Sequence, residues 1–176
     1  MKVFLLLLLL VGCSVEIGET TGSSAEAITY VPYTGNLYSF ERPQYWLDAS
    51  EGGMTEFDGP TNGVQYTLVV PSIVMPQSEG GAYATKEDYI ASLESQWATA
   101  DDYRRISLGT TVVDGREAAE IIAVYSLQGY QVMTRQVVFE TDIGFFRIAY
   151  TGPEEGFNDY MSVMDRALET FQVLGQ

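Results

Sequence analysis

This chain predicts an α+β domain built around an antiparallel sheet of about six to seven strands, and three observations carry that prediction. Four β-rich runs lie between Arg105 and Tyr150, separated by connections of a few residues. One connection is Asp114-Gly115 and another is Gln128-Gly129. Asp-Gly between two alternating runs is a strong hairpin signal, because both residues can take positive φ, and connections this short force neighbouring strands antiparallel. On either side of the block sits a segment whose apolar residues recur at helical spacing.

The elements follow in order. From Ser14 to about Gly35 the chain is rich in Gly, Ser, Thr and Glu, with little periodicity, and reads as a flexible tether. Leu37-Tyr38-Ser39-Phe40-Glu41 alternates and runs into Pro43, the mark of a strand ended by a turn. Trp46 and Leu47 come next, then the Glu51-Gly52-Gly53 turn and a short strand from Met54 to Phe57. Asp58-Gly59-Pro60-Thr61-Asn62-Gly63 has the composition of a loop. Val64 to Pro71 alternates well, with Val64, Tyr66, Leu68 and Val70 set against Gln65, Thr67 and Val69. Ser72 to Ala84, broken by Pro76 and Gly80-Gly81, reads as a long connection.

Thr85 caps a helix in the capping-box relation to Asp88, and Tyr89, Ile90, Leu93 and Trp97 share one of its faces. The meander follows as Arg105 to Val113, Glu117 to Leu127, Tyr130 to Glu140 and Phe145 to Tyr150. Pro153 suits the first turn of a last helix, whose dipole Glu154 and Glu155 complement. Phe157, Tyr160, Met161, Met164, Leu168 and Phe171 form one apolar stripe along it, which must pack on the sheet.

Composition bounds the chemistry. A hydrophobic fraction of 46% and an aromatic fraction of 12% place the chain among globular proteins. The net charge of −15 repels nucleic acid and anionic lipid surfaces, so no nucleic-acid partner is expected. Histidine is absent altogether. That removes Ser-His-Asp and Cys-His catalysis, imidazole acid-base chemistry and the usual zinc sites.

The single cysteine, Cys13, closes the run Phe4-Leu5-Leu6-Leu7-Leu8-Leu9-Leu10-Val11-Gly12. With Lys2 ahead of it, the stretch has the layout of a secretory signal. Val3 to Val11 is far short of the roughly 20 residues a spanning helix needs. Leu10 spoils the small-x-small site of a plain cleaved signal. Leu10-Val11-Gly12-Cys13 instead resembles a prokaryotic lipobox, in which diacylglycerol alkylates the thiol and the peptide is cut before it. The expected organisation is a signal peptide over 1–12, a lipidated Cys13 with a tether over 13–36, and a domain over 37–174. The membrane would then be met through lipid on Cys13, outside the cytoplasm. In a cell with two membranes, Ser14 after the thiol points to the outer one.

The order of elements resembles the PsbP-like superfamily, including DcrB-type bacterial lipoproteins. The residues that carry the resemblance are Tyr38-Ser39-Phe40-Glu41-Arg42-Pro43 with Trp46, the helix around Tyr89-Ile90, Val113-Asp114-Gly115-Arg116-Glu117-Ala118, and the closing helix through Phe171. The resemblance implies an α-β-α sandwich, with helices on both faces of the antiparallel sheet. It also implies a domain that binds partners and specifies no activity. Members that serve photosystem II lean on basic residues and in part on histidine, which this chain lacks.

Carboxylates are the abundant reactive groups. Asp101-Asp102, Glu154-Glu155 and the Asp58 loop are the candidates for calcium, yet none has EF-hand spacing, and a hydrolytic acid pair would need two acids facing each other across a cleft. Neither Gly52-Gly53 nor Gly80-Gly81 continues into a phosphate-binding motif. No catalytic residue, metal ligand or cofactor is therefore assigned. Ile73, Val74 and Met75 are apolar inside what reads as a connection, which makes them the candidate binding patch. The function expected is a lipid-anchored, non-catalytic binding or scaffold protein of the cell envelope. A lipid-anchored hydrolase using a carboxylate pair is the alternative.

Overall fold

The computed structural model describes residues 28–51, 54–62, 64–74, 76, 78, 80–100 and 102–175. The lipobox residues Leu10, Val11, Gly12 and Cys13, and Met75 of the apolar patch, lie outside them.

Among the described residues, ten strands and two α-helices follow in the order β1 (Tyr30–Thr34), β2 (Tyr38–Pro43), β3 (Leu47–Asp48), β4 (Glu56–Asn62), β5 (Val64–Val74), α1 (Lys86–Trp97), β6 (Arg104–Val113), β7 (Arg116–Leu127), β8 (Tyr130–Thr141), β9 (Gly144–Pro153), α2 (Met161–Thr170) and β10 (Gln172–Val173), with a 3-10 turn over Phe157–Tyr160 leading into α2. A seven-stranded antiparallel sheet has the order β3-β4-β5-β9-β8-β7-β6, and a smaller sheet has the order β1-β2-β10. The mixed α+β class and the large antiparallel sheet agree with the sequence reading. Asp114 and Gly115 take φ of 50° and 73°, and Gln128 and Gly129 take 53° and 87°, so both hairpins turn where expected. Thr85 caps α1, its hydroxyl accepting from the Asp88 N–H at 3.1 Å.

The pleat sorts the core into two clusters. Val137 and Val138 are neighbours on β8, yet Val137 belongs to the cluster that holds Met164 and Leu168 of α2, and Val138 to the one that holds Ile90 and Leu93 of α1. Ala118 and Ala119, and Phe146 and Phe145, divide in the same way. Successive residues of a strand point to opposite faces, so the two helices draw on opposite sides of these strands.

Several boundaries differ from the sequence reading, among them the end of β5, which runs on to Val74 into what read as a connection. The segment 13–36, read as a tether, contains β1, which pairs with β2 from Tyr30↔Pro43 to Thr34↔Ser39. Pro32 disguised it, but β1 is an edge strand, where a missing N–H costs no ladder bond. The 58–63 loop is largely strand, because β4 runs on through a bulge between Asp58 and Thr61. Pro153 ends β9 instead of starting a helix. It lies two residues past Thr151, the last β9 position recorded against β5, so it needs no N–H on that side.

Candidate functional site

A cavity of about 490 Å³ opens where the small sheet meets the β4–β5 side of the large one. Gly35 turns the chain from β1 into β2, its N–H donating to the Tyr38 carbonyl at 2.9 Å. That turn brings Tyr33 and Tyr38 onto the same side. Tyr33 stacks on Tyr38 at 6.2 Å and meets Phe57 edge-on at 5.4 Å, so its ring is locked from β4 as well.

Both phenols converge on one hydroxyl. Thr55 is only 5% exposed, and its Oγ1 lies 3.4 Å from the Tyr33 hydroxyl and in hydrogen-bond contact with that of Tyr38. Burial, chiefly, pushes the Tyr38 phenol above its ordinary value. It therefore stays protonated across the neutral range and serves as a hydrogen-bonding group. Leu37, Met54 and Ile73 stand half-exposed around the opening, with Ser50 and Glu51 beside them. An apolar rim over a small polar floor is the usual chemistry of a ligand-holding cleft.

The pleat separates the predicted patch. Ile73 pairs with Phe146, faces the side of α2 and lines the cavity. Val74 pairs with Phe145 on the opposite face and packs beneath α1. Both extend β5, so the apolar run is strand before it is surface. Tyr33, Tyr38 and Thr55 escaped the sequence reading because their meeting depends on two sheets coming together. The signal available was local: Tyr33 and Phe40 are register partners, and Tyr38 is two residues from Phe40 on the same face.

Asp101 lies outside the described residues; of the other candidate carboxylates, Asp102 and Glu154 hold structure together. Asp102 accepts from the Ser126 N–H at 2.9 Å and also bonds the Ser126 hydroxyl and the Gln131 amide, which together pull its pKa down. Glu154 pairs with Arg104 at 2.6 Å. Asp58 stands two residues from Glu56 on the same face of β4, and burial together with that neighbouring charge raises the Glu56 carboxyl. The two acids lie side by side along one strand and do not face each other across a cleft. Among the described residues no group of three or more His, Cys, Asp or Glu gathers at metal-binding distance.

No family model and no curated protein sequence matches the chain. Solved structures do. Cyanobacterial PsbP (CyanoP) from Synechocystis sp. PCC 6803 superposes with a TM-score of 0.53 at 12% identity, over 86% of this chain and 96% of that one. The fold is PsbP-like. LpqN of Mycobacterium tuberculosis, involved in cell envelope biogenesis, gives 0.52 at 11% identity over 84% and 91% of the two chains. PA94 of Pseudomonas aeruginosa, a protein of unknown function, gives 0.52 at 19% identity over 80% and 94%. At these identities the likeness is one of fold, and the site must argue for itself.

Proposed function

We propose that this chain is an extracytoplasmic binding protein of the cell envelope, anchored by lipid on Cys13, which holds a partner segment at the Tyr33–Tyr38–Thr55 cavity without turning it over. The site's chemistry carries the reading. Its polar floor consists of hydroxyls bonded to one another, its rim is apolar, and Glu51 is the carboxylate beside the opening. Such a surface suits an apolar segment of neutral or positive charge. The role of LpqN in envelope biogenesis supports the compartment. Among the described residues no helix is long and apolar enough to cross a membrane, so attachment through Cys13 would supply the anchor. Two acyl chains hold a protein stably where one does so marginally.

Two measurements test this. Cys13→Ala should move the protein from the detergent phase to the aqueous phase; unchanged partition overturns the anchor. A photoreactive residue at position 73 should give a discrete adduct in intact cells, lost when Met54→Asp places a charge on the rim. Turnover of a sugar, ester or phosphate substrate, abolished by one Asp or Glu substitution in a folded protein, overturns the binding reading and favours the hydrolase.

A further inference from the structure

We propose that the outer edge of β6 is a self-association surface, on which a second copy of this chain pairs antiparallel about Gly109. β6 ends the seven-stranded sheet, with β7 on one side and, among the described residues, no strand on the other. It is ten residues long, and in an antiparallel ladder every second residue turns its N–H and C=O away from the paired neighbour. Exposed edges are normally blunted by proline, lysine or an inward-pointing charge. From Ile106 to Val113 this one has no proline and no charge. Its bulge sits near one end, between Arg105 and Ser107, which leaves Ser107 to Val113 in unbroken register on β7.

The surface beside that edge is apolar. Ile106, Leu108 and Val112 are 46%, 54% and 67% exposed. Leu108, Gly109 and Thr110 form one wall of a groove of about 230 Å³, and Ile90 and Ala91 of α1, flanked by Glu87 and Glu94, form the other.

Charge selects the occupant. Arg104 and Arg105 stand at one end of β6, and Asp114 just past the other. Parallel pairing of two copies would set arginine against arginine. Antiparallel pairing centred on Gly109 sets Arg104 beside Asp114 of the second copy, and two-fold symmetry repeats the contact. The same register places Leu108 opposite Thr110 and Ile106 opposite Val112, so the exposed apolar side chains come together. A slip of one residue would throw side chains onto opposite faces, and a slip of two loses the Arg104–Asp114 match.

Arg104 now holds Glu154 at 2.6 Å, and Asp114 holds Arg116 at 2.5 Å while also accepting from the Val173 N–H at 3.2 Å, a bond its second oxygen leaves free to persist. Both are surface pairs, where exchanging one partner for another costs little. Gly109 falls on the two-fold axis, and nothing lies within 4 Å of where its Cβ would be, so two backbones can meet there. The net charge of −15 opposes association, but its reach shrinks to about 8 Å at physiological ionic strength. Pairing should therefore strengthen from low to physiological salt.

The register makes the proposal testable by cross-linking. On an antiparallel two-fold axis the Cα atoms of a self-paired residue lie about 4.5–5.5 Å apart, within disulfide range. Full chain carrying Cys13→Ser with Gly109→Cys should form a disulfide dimer under mild oxidation. Thr111→Cys in the same background should not, since its own mate lies four residues further along the strand, about 13 Å away. Adding Leu108→Lys to Gly109→Cys should abolish the cross-link with unchanged circular dichroism, because position 108 is exposed in the single chain. Sedimentation of the Cys13→Ser chain in detergent should give twice the chain mass, halved by Leu108→Lys. A single-chain mass across the micromolar range, or equal cross-linking at 109 and 111, overturns the proposal. A single chain that instead binds a basic strand-forming peptide at β6 also overturns it, and gives the edge to a different partner.

Discussion

The two faces of the large sheet are built differently. On the side of α2, Phe139 and Phe146 stack and Phe171 meets both edge-on, all within 5.4–6.1 Å, and Tyr38, Phe40, Phe57 and Phe157 extend the same apolar layer. On the side of α1 the cluster is thinner, with Tyr89, Ile90 and Leu93 set on Ala119, Ile121, Val138 and Phe145. Beyond α1 that face turns polar, and the Gln136 amide donates to Thr134, whose hydroxyl meets Thr151 at 2.8 Å. One face thus holds an aromatic layer closed by the small sheet, and the other a single helix that leaves the sheet edge uncovered. Both candidate surfaces lie where a layer stops: the cavity at the seam between the sheets, the groove where α1 gives way to β6.

The largest effect that could break this comparison is in the aromatic layer. Phe146→Ala should cost about 3–5 kcal/mol, because the rings around it cannot collapse into the void. Ile90→Ala on the other face should cost about 2–3 kcal/mol, since the groove beside it offers room to relax. Denaturant midpoints at constant slope measure both. Equal losses would show that the thin face carries as much of the stability as the aromatic one.

A second prediction concerns the polar margin of the α2 side. Arg135 reaches Glu120 at 2.7 Å and Asp165 of α2 at 2.6 Å, and is itself largely buried. Burial works against its charge, but the bonds to Asp165 and Glu120 outweigh that and hold its pKa above the ordinary value. Arg135→Met should cost about 2 kcal/mol, between the small worth of an exposed pair and the larger loss at a buried one. A Tm equal to that of the parent would show that α2 docks through its apolar stripe alone.

Legibility in the sequence followed locality. The Asp114-Gly115 and Gln128-Gly129 hairpins and the Thr85 cap depend on neighbours in sequence, and the structure places each as read; the Phe157 to Phe171 stripe is buried as read, but only Met161 to Leu168 of it lies on α2, with Phe157 in a preceding 3-10 turn and Phe171 extended past the helix end. What was missed depends on partners far along the chain. Asp58-Gly59-Pro60 has loop composition, yet Gly59 lies in β4 because Trp46 rests on it; a Cβ there would fall 2.5 Å from the Trp46 Cε2. β1 was hidden because Pro32 breaks its strand pattern and Tyr33 finds Phe57 only once the sheets meet. For the same reason Ile73 was found as an apolar residue out of place, while the hydroxyls it borders were not.

Two smaller effects sharpen the comparison, one on the α1 face and one on the α2 side, where Trp46 packs. Thr85→Ala removes the α1 cap and should cost about 1 kcal/mol, readable by hydrogen exchange as faster opening of the first helical turn. Gly59→Ala should cost about 1–3 kcal/mol through displacement of Trp46, with a shift in indole fluorescence to report it. If Gly59→Ala left the fluorescence unchanged, the close packing of Trp46 on β4 would be wrong.

The smallest expected effect belongs to Glu56. Burial, and then the charge of Asp58, raise its carboxyl pKa in the folded chain above the ordinary 4.5. A raised folded value means that the native state binds this proton more tightly than the unfolded chain does. The favourable contribution is therefore complete below the ordinary carboxylate range and lost as pH rises through the folded pKa. At neutral pH the native chain carries a carboxylate it holds less well than water does. Glu56→Gln should relieve that, giving a slightly higher Tm at pH 7 and the same Tm as the parent near pH 3. A lower Tm for the variant at pH 7 would mean that the ionised carboxylate is held by a favourable partner.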